Sequence, residues 1–252
     1  MNLLKHIDYS ETNKILLTGQ NTLRKLVGIL GVFLPIFLYL FLRIDTGYKK
    51  PLESISHYYF TRVCGIFLIT VSLLAFFLII YKGKQLIDFF LSTTAGVFAL
   101  VLLLFPTDNI DPKSDGFVCS VTALKHPADF RVHLHYISAS IFLLSLACIA
   151  LFLFTKSDKP RALRTKQKKI RNVFYIICGA IMIAALLTAF LGYKKVIKLP
   201  VFGGSITFWM ETIAVESFGF AWLIKAEVFF KDKPRKVSPL HTTNMLADHV
   251  LP

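Results

Sequence analysis

The sequence has little charge, few cysteines and no familiar catalytic motif. Asp, Glu, Lys and Arg make up 17% of its 252 residues, whereas soluble domains average about 25%. The four cysteines show no CxxC or other metal-ligand spacing, and the P-loop, HExxH, GxSxG and GxGxxG patterns are absent. We therefore expect neither a metal site nor a cofactor, and the low charge argues against a soluble globular protein.

The net charge is +14, which could indicate nucleic-acid binding. The basic residues, however, lie in short stretches between apolar runs and not on one folded soluble surface. Attraction of cytoplasmic Lys and Arg to anionic lipid explains this arrangement more simply. We expect membrane lipids as partners and no nucleic acid.

Long apolar runs dominate the sequence, in which 55% of the residues are hydrophobic. Each run is long enough to cross about 30 Å of hydrocarbon as a helix, and helices satisfy the backbone groups that lipid cannot. The sequence predicts an all-α, polytopic membrane helix bundle that forms one domain over residues 1–252. The six predicted transmembrane spans are 26–43, 61–81, 87–107, 133–155, 171–193 and 206–230.

The distribution of basic residues predicts the orientation. When basic residues at the ends of the spans are counted with the adjoining loops, 18 of the 29 Lys and Arg lie in the two terminal segments and in the loops after spans two and four. Ten lie in the other loops, and Lys225 lies in the last span. The richer side is cytoplasmic by the positive-inside rule. This predicts a multi-pass protein of the cell membrane with both termini in the cytoplasm.

Small residues and cysteines predict local packing. Small residues four apart allow helices to approach closely, and they occur as Ser92/Gly96, Ala180/Ala184 and Ala185/Ala189. Cys64 and Cys119 both fall near the predicted outer face and are candidates for a disulfide.

Polar side chains that could form a site collect on the predicted outer side. Three segments remote in sequence deliver histidine, carboxylate or hydroxyl groups near the ends of spans two, four and six. The candidate ligand-binding residues are His57, His135, Trp209 and Glu211, and Ser54, Ser56, Asp108, Asp111 and His126 lie on the same loops.

Asp129 and His133 are four residues apart, so a helix through both would place them on one face. Such a pair can fix the tautomer of an imidazole for catalysis. The pair could equally be solvated at the membrane–water interface and have no catalytic role. His135 is about 200° around the helix from His133, so at most one of the two histidines is expected to face the bundle.

Glu216 lies well inside the sixth predicted span, where a charge costs about 2.5–3.5 kcal/mol even on the lenient insertion scale. It therefore needs a partner from another helix, for which Ser138, Ser140 and the outer histidines are candidates. Glu216 could serve a function in a polar cavity, or it could be a structural glutamate that is held by hydrogen bonds. His133, Asp129 and Glu216 are the candidate catalytic residues.

Three stretches near the predicted outer ends of the spans have a distinctive pattern: Ser54-Ile55-Ser56-His57-Tyr58-Tyr59-Phe60, Leu104-Phe105-Pro106-Thr107-Asp108 and His133-Leu134-His135-Tyr136-Ile137-Ser138-Ala139. They resemble those of a broad group of six-span membrane proteins. The group contains the DRAM autophagy modulators, the Golgi GPI-anchor lipid-remodelling factor and uncharacterised bacterial membrane domains, and the segment Phe208-Trp209-Met210-Glu211 is typical of the bacterial members. The resemblance implies a lipid-associated function without an established reaction.

Three functional hypotheses follow from these residues. The first is a protein that binds a lipid or a membrane protein partner through an outer-facing polar cavity between spans two, four and six. The second is a membrane-embedded enzyme acting on a lipid headgroup, with His133 as acid or base and Glu216 or Asp129 as its partner. The third is a small-solute or proton-coupled transporter that uses Glu216 as its coupling site. The sequence leaves the oligomeric state open.

Overall fold

The chain is described from a computed structural model that covers residues 12–81, 86–108, 110, 129–157, 160–194, 196 and 205–232. All regular structure within these ranges is helical, and they contain no strand. The α-helices are α1 (Thr12–Thr46), α2 (Cys64–Ile80), α3 (Leu86–Leu104), α4 (Asp129–Cys148), α5 (Lys166–Tyr193) and α6 (Ile206–Lys225). Two 3₁₀ helices (Ile55–Phe60 and Arg161–Leu163) and a π-helical turn that continues α4 (Ile149–Leu153) complete the elements.

Four of these helices are long and apolar enough to cross a membrane: Gly19–Thr46, Leu86–Leu104, Asp129–Leu153 and Lys166–Gly192. α2 is equally apolar but shorter. Large apolar side chains lie exposed around the outside of the bundle, among them Phe33, Phe37, Phe41, Phe76, Phe90 and Phe152. A surface of this kind suits lipid better than water. The all-helical bundle and its membrane character are therefore confirmed.

The helices form a closed ring. Each α-helix packs against the next one in sequence, and α6 packs against α1 to complete the circle. α6 also contacts α4. The ring has two ends, which we name by one residue each: the Asp108 end, where α3 ends and α4 begins, and the Lys225 end, where α6 ends and α5 begins.

Small residues allow two of these helix pairs to approach closely. A Cβ added at Gly219 of α6 would lie 2.6 Å from the backbone nitrogen of Val32 in α1. A Cβ at Gly96 of α3 would lie 2.6 Å from the carbonyl oxygen of Ala75 in α2. The small pair Ser92/Gly96 thus lies at a contact between two helices, as predicted. The close contact between α1 and α6 at Gly219 was not predicted.

The helix ends differ from the predicted span limits. α1 and α5 begin well before residues 26 and 171, because a helix continues beyond its apolar part through exposed charged residues such as Lys25 and Lys169. α6 ends at Lys225 and not at 230, and the chain then turns at Glu227, whose φ is +57°. Cys64, Cys148 and Cys178 are free thiols, and Cys119, the candidate disulfide partner, lies outside the described residues.

Candidate functional site

A short buried turn at the Asp108 end organises the site. This turn, which we call the His57 turn, consists of Ser54 and the 3₁₀ helix Ile55–Phe60, and it contacts α1, α2 and α6. Ser54 occupies the N-cap position, yet its side chain does not cap the helix. Its Oγ lies 2.6 Å from Nδ1 of His57 instead. Both side chains are buried, so the hydroxyl is committed to the imidazole.

Glu211 of α6 ties the last helix to this turn. Its Oε2 accepts a hydrogen bond from the backbone N–H of Ile55 at 2.7 Å. Backbone donors in the first turn of a helix have no partner within the helix, and a carboxylate is a strong acceptor for them. The start of α6 is fixed by the side chain of Ser205, which accepts from the N–H of Thr207. The carboxylate is thereby positioned against a segment 156 residues away in sequence.

Asp108 contributes a second carboxylate from the segment after α3. Its Oδ1 accepts hydrogen bonds from Thr107 Oγ1 and from the hydroxyl of Tyr136 in α4, each at 2.8 Å. Burial opposes the ionisation of Asp108, but these two hydrogen bonds and the neighbouring His57 outweigh it and lower the pKa of the carboxyl. Asp108 is therefore ionised at neutral pH.

His135 of α4 is buried and held in one tautomer. Its Nδ1 lies 2.8 Å from the carbonyl oxygen of Phe105 and 3.2 Å from that of Leu102. Carbonyl oxygens only accept, so Nδ1 carries a hydrogen and donates it. In the neutral ring Nε2 then has the free lone pair, which can accept a proton or a ligand's hydrogen bond.

The environment of His57 keeps its ring neutral. Its Nε2 lies 3.8 Å from Oε2 of Glu53. Burial lowers the pKa of His57 and prevails over the two carboxylates, Asp108 and Glu53, which raise it, while His135 lowers it further. A neutral ring with its hydrogen on Nε2, towards Glu53, leaves Nδ1 to accept the hydrogen bond that Ser54 donates.

Three further buried polar groups lie on the helices that carry His135 and Glu211. Ser138 Oγ, Trp209 Nε1 and Thr212 Oγ1 are buried, and no hydrogen-bond partner for them exists among the described parts of the chain. Ser138 lies one helical turn from His135, and Trp209 and Thr212 flank Glu211. A buried polar group left unpaired costs about 1–3 kcal/mol.

The structure brings together some of the predicted site residues and not others. His57, His135 and Glu211 belong to this one end of the bundle, and Trp209 packs beside them against Phe208. Of the two histidines in α4, only His135 faces the bundle, which agrees with the prediction that at most one would.

His133 is exposed on α4, and its Nδ1 lies 2.6 Å from the backbone carbonyl oxygen of Asp129. The side chains of Asp129 and His133 therefore do not form the predicted pair, because the ring bonds to its own helix backbone. This geometry gives Asp129 and His133 no contact with the buried cluster.

Glu216 is half-buried and makes no hydrogen bond or ion pair with any residue that the structure describes. The prediction that Ser138 or Ser140 would partner it is wrong, since Ser140 donates to the carbonyl of Tyr136 and Ser138 has no partner in the described ranges. The acid of α6 that finds a partner is Glu211. Asp111 and His126 lie outside the described residues.

Sequence reasoning placed Ser54 and Asp108 on the correct loops without giving them a role, and it missed Thr107 and Tyr136. The signal available for Asp108 was its position directly after an apolar run that ends in Pro106-Thr107. Within the described ranges, no group of three or more His, Cys, Asp or Glu side chains has the arrangement to hold a metal ion.

Comparisons of this chain with protein-family models, curated proteins and solved structures find no match. The arrangement of the side chains therefore carries the functional argument.

Proposed function

We propose that the chain is a six-span protein of the cell membrane with both termini in the cytoplasm and the Asp108 end facing outward. α2 and α6 complete the ring that the four long apolar helices begin, and at about 1.5 Å per residue their 17 and 20 residues extend roughly 26 and 30 Å. Such lengths match the hydrocarbon core. The excess of Lys and Arg at the Lys225 end supports the cytoplasmic placement of that end.

In this orientation the polar site at the Asp108 end binds the headgroup of a membrane lipid. The observation that carries the proposal is the convergence of Ser54, His57, Asp108, His135 and Glu211 from remote segments. The serine and both imidazoles are buried, whereas Glu211 is half-buried and Asp108 is exposed. Structural hydrogen bonding alone does not require two buried imidazoles beside two carboxylates. The resemblance to six-span, lipid-associated proteins supports the same class of ligand.

The charge of the cluster favours a headgroup that carries an amine. Asp108 is ionised and His57 is neutral, so the site carries net negative charge. An ethanolamine group would complement it, whereas the headgroup of phosphatidylglycerol offers no positive charge. Choline is also positive but has no N–H, so only ethanolamine can donate hydrogen bonds to Asp108 and to Nε2 of His135. We therefore propose an amine-bearing phospholipid, represented by phosphatidylethanolamine, as the ligand.

A stability measurement with a matched pair of variants tests this proposal. In neutral detergent, phosphatidylethanolamine should raise the Tm of the wild type more than phosphatidylcholine does. His135→Gln should lose most of that rise. His133→Gln, two residues away but exposed, should keep it. Equal responses of the two variants, or no response of the wild type, would refute the proposed site.

One observation favours a second function, an enzyme that cleaves an ester bond of a lipid. The 2.6 Å contact between Ser54 Oγ and His57 Nδ1 is a nucleophile–base pair. Ser54 Oγ would attack the ester carbonyl as its proton passes to Nδ1 of His57, which then returns the proton to the leaving alcohol. Water would hydrolyse the acyl-serine by the reverse proton transfers. In this version His57 replaces His133 as the base.

Labelling with a fluorophosphonate probe distinguishes the enzyme from the binding protein. An activated serine should react covalently in the wild type, and Ser54→Ala should abolish the label. Ser56→Ala, in the same turn, should retain it. An unlabelled wild type that still responds to phosphatidylethanolamine supports the binding function alone.

A further inference from the structure

An aromatic cluster fills the interior of the bundle at the Lys225 end. The ring of Trp222 contacts those of Tyr81, Phe154 and Phe218 at centroid distances of 5.0, 5.2 and 5.9 Å. Tyr175 packs on Phe154 at 5.4 Å. All five side chains are buried, and they come from α5, α6 and the segments that follow α2 and α4.

Three cations lie over the faces of these rings. The Nζ of Lys225 is 5.1 Å from the centroid of Phe154, the Nζ of Lys168 is 5.6 Å from that of Tyr175, and Cζ of Arg24 is 5.9 Å from that of Tyr81. Each distance lies in the range of a cation–π interaction. α1, α5 and α6 thus each bring one positive charge to the same aromatic cluster.

Among the described residues at this end, the carboxylates pair with cations other than Lys225 and Arg24. Lys225 lies within electrostatic range of Lys168, Arg24 and Arg171, and Asp88 is the acid that faces it. Asp88 itself pairs with Lys156 at 3.3 Å. Arg171 pairs with Asp232 at 2.7 Å and with Glu227 at 3.3 Å, so these two acids are engaged elsewhere.

Arg24 and Lys225 form no ion pair with a carboxylate among the described residues. Arg24 donates to the side-chain oxygens of Asn21 and Gln20, and Lys168 donates to the carbonyl of Phe154. Lys225 has no hydrogen bond or ion pair with any part of the chain that the structure describes. Like charges gathered in a partly buried space are unfavourable unless an anion joins them.

Two buried hydrogen-bond donors also require a partner that the described residues do not supply. The side chain of Trp222 is 0% exposed, and neither its Nε1 nor the Nε of Arg24 finds an acceptor among the described residues. Both nitrogens only donate. Trp222 contacts the two rings over which Lys225 and Arg24 lie, so its unpaired donor and these cations belong to one cluster of side chains. An acceptor with several oxygens would satisfy these donors and the cations together.

We propose that Arg24, Lys168, Lys225 and the indole N–H of Trp222 form a binding site for a phosphate group, carried by a phospholipid headgroup or by a soluble phosphate compound. Arginine, lysine and indole N–H groups are the donors that recognise phosphate oxygens. This site lies at the opposite end of the bundle from His57 and Asp108, and it does not depend on the function proposed for them.

The fluorescence of Trp222 provides a direct readout. The chain contains two tryptophans, so Trp209→Phe leaves Trp222 as the single emitter. This protein, purified in neutral detergent, would be titrated with phosphatidylglycerol in mixed micelles and, separately, with sodium phosphate. Phosphatidylcholine and sodium chloride at matched ionic strength are the blanks. We expect a saturable change in emission whose midpoint moves to higher concentration as salt is added.

Variants of two lysines test whether the response comes from this site. Lys225→Gln should weaken binding about tenfold or more, the effect of losing a charge-assisted hydrogen bond. Lys194→Gln is the matched control, because Lys194 also lies over a phenylalanine ring, that of Phe190 at 5.9 Å, but at the Asp108 end. If Lys225→Gln does not fold, Lys168→Gln takes its place.

Each outcome has a defined meaning. A response to phosphatidylglycerol alone that is lost in Lys225→Gln and kept in Lys194→Gln identifies a lipid headgroup site. The same pattern with sodium phosphate identifies a site for soluble phosphate compounds. No saturable response in the Trp209→Phe protein, or equal affinity in the two lysine variants, overturns the proposal.

Discussion

The buried imidazole of His57 links the site to the pH of the surrounding solution. Its neutral form fits the turn, since Nδ1 accepts from Ser54 and burial opposes a positive charge. The same carboxylates that would attract a protonated ring, Glu53 and Asp108, lie beside it. Protonation therefore changes the hydrogen bond that holds Ser54.

The first prediction concerns stability in acid. The pKa of His57 is lowered in the fold from its ordinary 6.5, so the unfolded chain binds the proton more readily, and stability should fall as the pH drops below about 6.5. The lowered pKa of Asp108 adds a loss at lower pH, below its ordinary 3.8. Tm measured from pH 7.5 to 5 should decline less in His57→Asn than in the wild type. A full decline in His57→Asn, with the same slope as in the exposed-histidine control His133→Asn, would contradict this.

The second prediction compares the two acids of α6. Glu211→Met removes the acceptor for the backbone N–H of Ile55 while keeping similar volume. Leaving that donor unpaired should cost about 1–3 kcal/mol of the free energy of unfolding. Glu216→Met removes an acid that has no partner among the described residues and should cost little or increase stability. Denaturation of both variants in the same detergent measures the difference, and a larger loss for Glu216→Met would refute the assignment.

The residues of the site were only partly predictable. His57, His135 and Glu211 could be found because polar side chains at the ends of apolar runs are conspicuous. The bond between Glu211 and Ile55 could not be found, because it uses a backbone donor that has no side-chain signature. Glu216 attracted attention by its depth in the apolar run, but depth along a helix does not show which face the residue occupies.

At the scale of the elements, glycine closes the ring of helices. Gly219 lets the backbones of α1 and α6 meet, and a Cβ there would contact Val32 N and Gly28 O at 2.6 and 2.7 Å. These contacts would be with backbone atoms, which cannot move aside as a flexible side chain can. The helix pair that joins the two ends of the chain therefore depends on this position.

The third prediction tests this contact. Gly219→Ala should destabilise the protein by about 1–3 kcal/mol through overpacking. Gly65→Ala, in α2, is the control, since nothing lies within 4 Å of a Cβ at that position, and alanine favours a helix over glycine by about 1 kcal/mol. The Tm of the first variant should fall and that of the second should hold or rise. Equal Tm values for the two variants would show that α1 and α6 can move apart at position 219 without a loss of stability.

The helices themselves were predictable from the apolar runs, because lipid excludes unpaired backbone groups. Their ends were not, since a helix continues beyond its most apolar part for as long as its residues allow, as α5 does from Lys166. The 3₁₀ helix Ile55–Phe60 was not predictable, because its six residues are too few to show a hydrophobic periodicity. Packing between α1 and α6 joins segments about 190 residues apart, and no local pattern specifies such a pairing.

For the whole molecule, the two ends of the bundle differ in chemistry. The Asp108 end gathers carboxylates and neutral imidazoles, and the Lys225 end gathers cations over aromatic rings. A six-span arrangement would expose the acidic site to the outer leaflet and the basic site to the anionic inner leaflet. The two proposed sites would then select headgroups of different charge on the two sides of one membrane.

The orientation of the Asp108 end is the claim on which the functional account depends most directly. Single cysteines would be introduced at Glu53 and at Ala162, both exposed positions at opposite ends, in a chain whose four native cysteines are replaced. A membrane-impermeant maleimide added to intact cells should label Glu53→Cys at once and label Ala162→Cys only after permeabilisation. Labelling of Ala162→Cys in intact cells, with Glu53→Cys protected, would contradict the account.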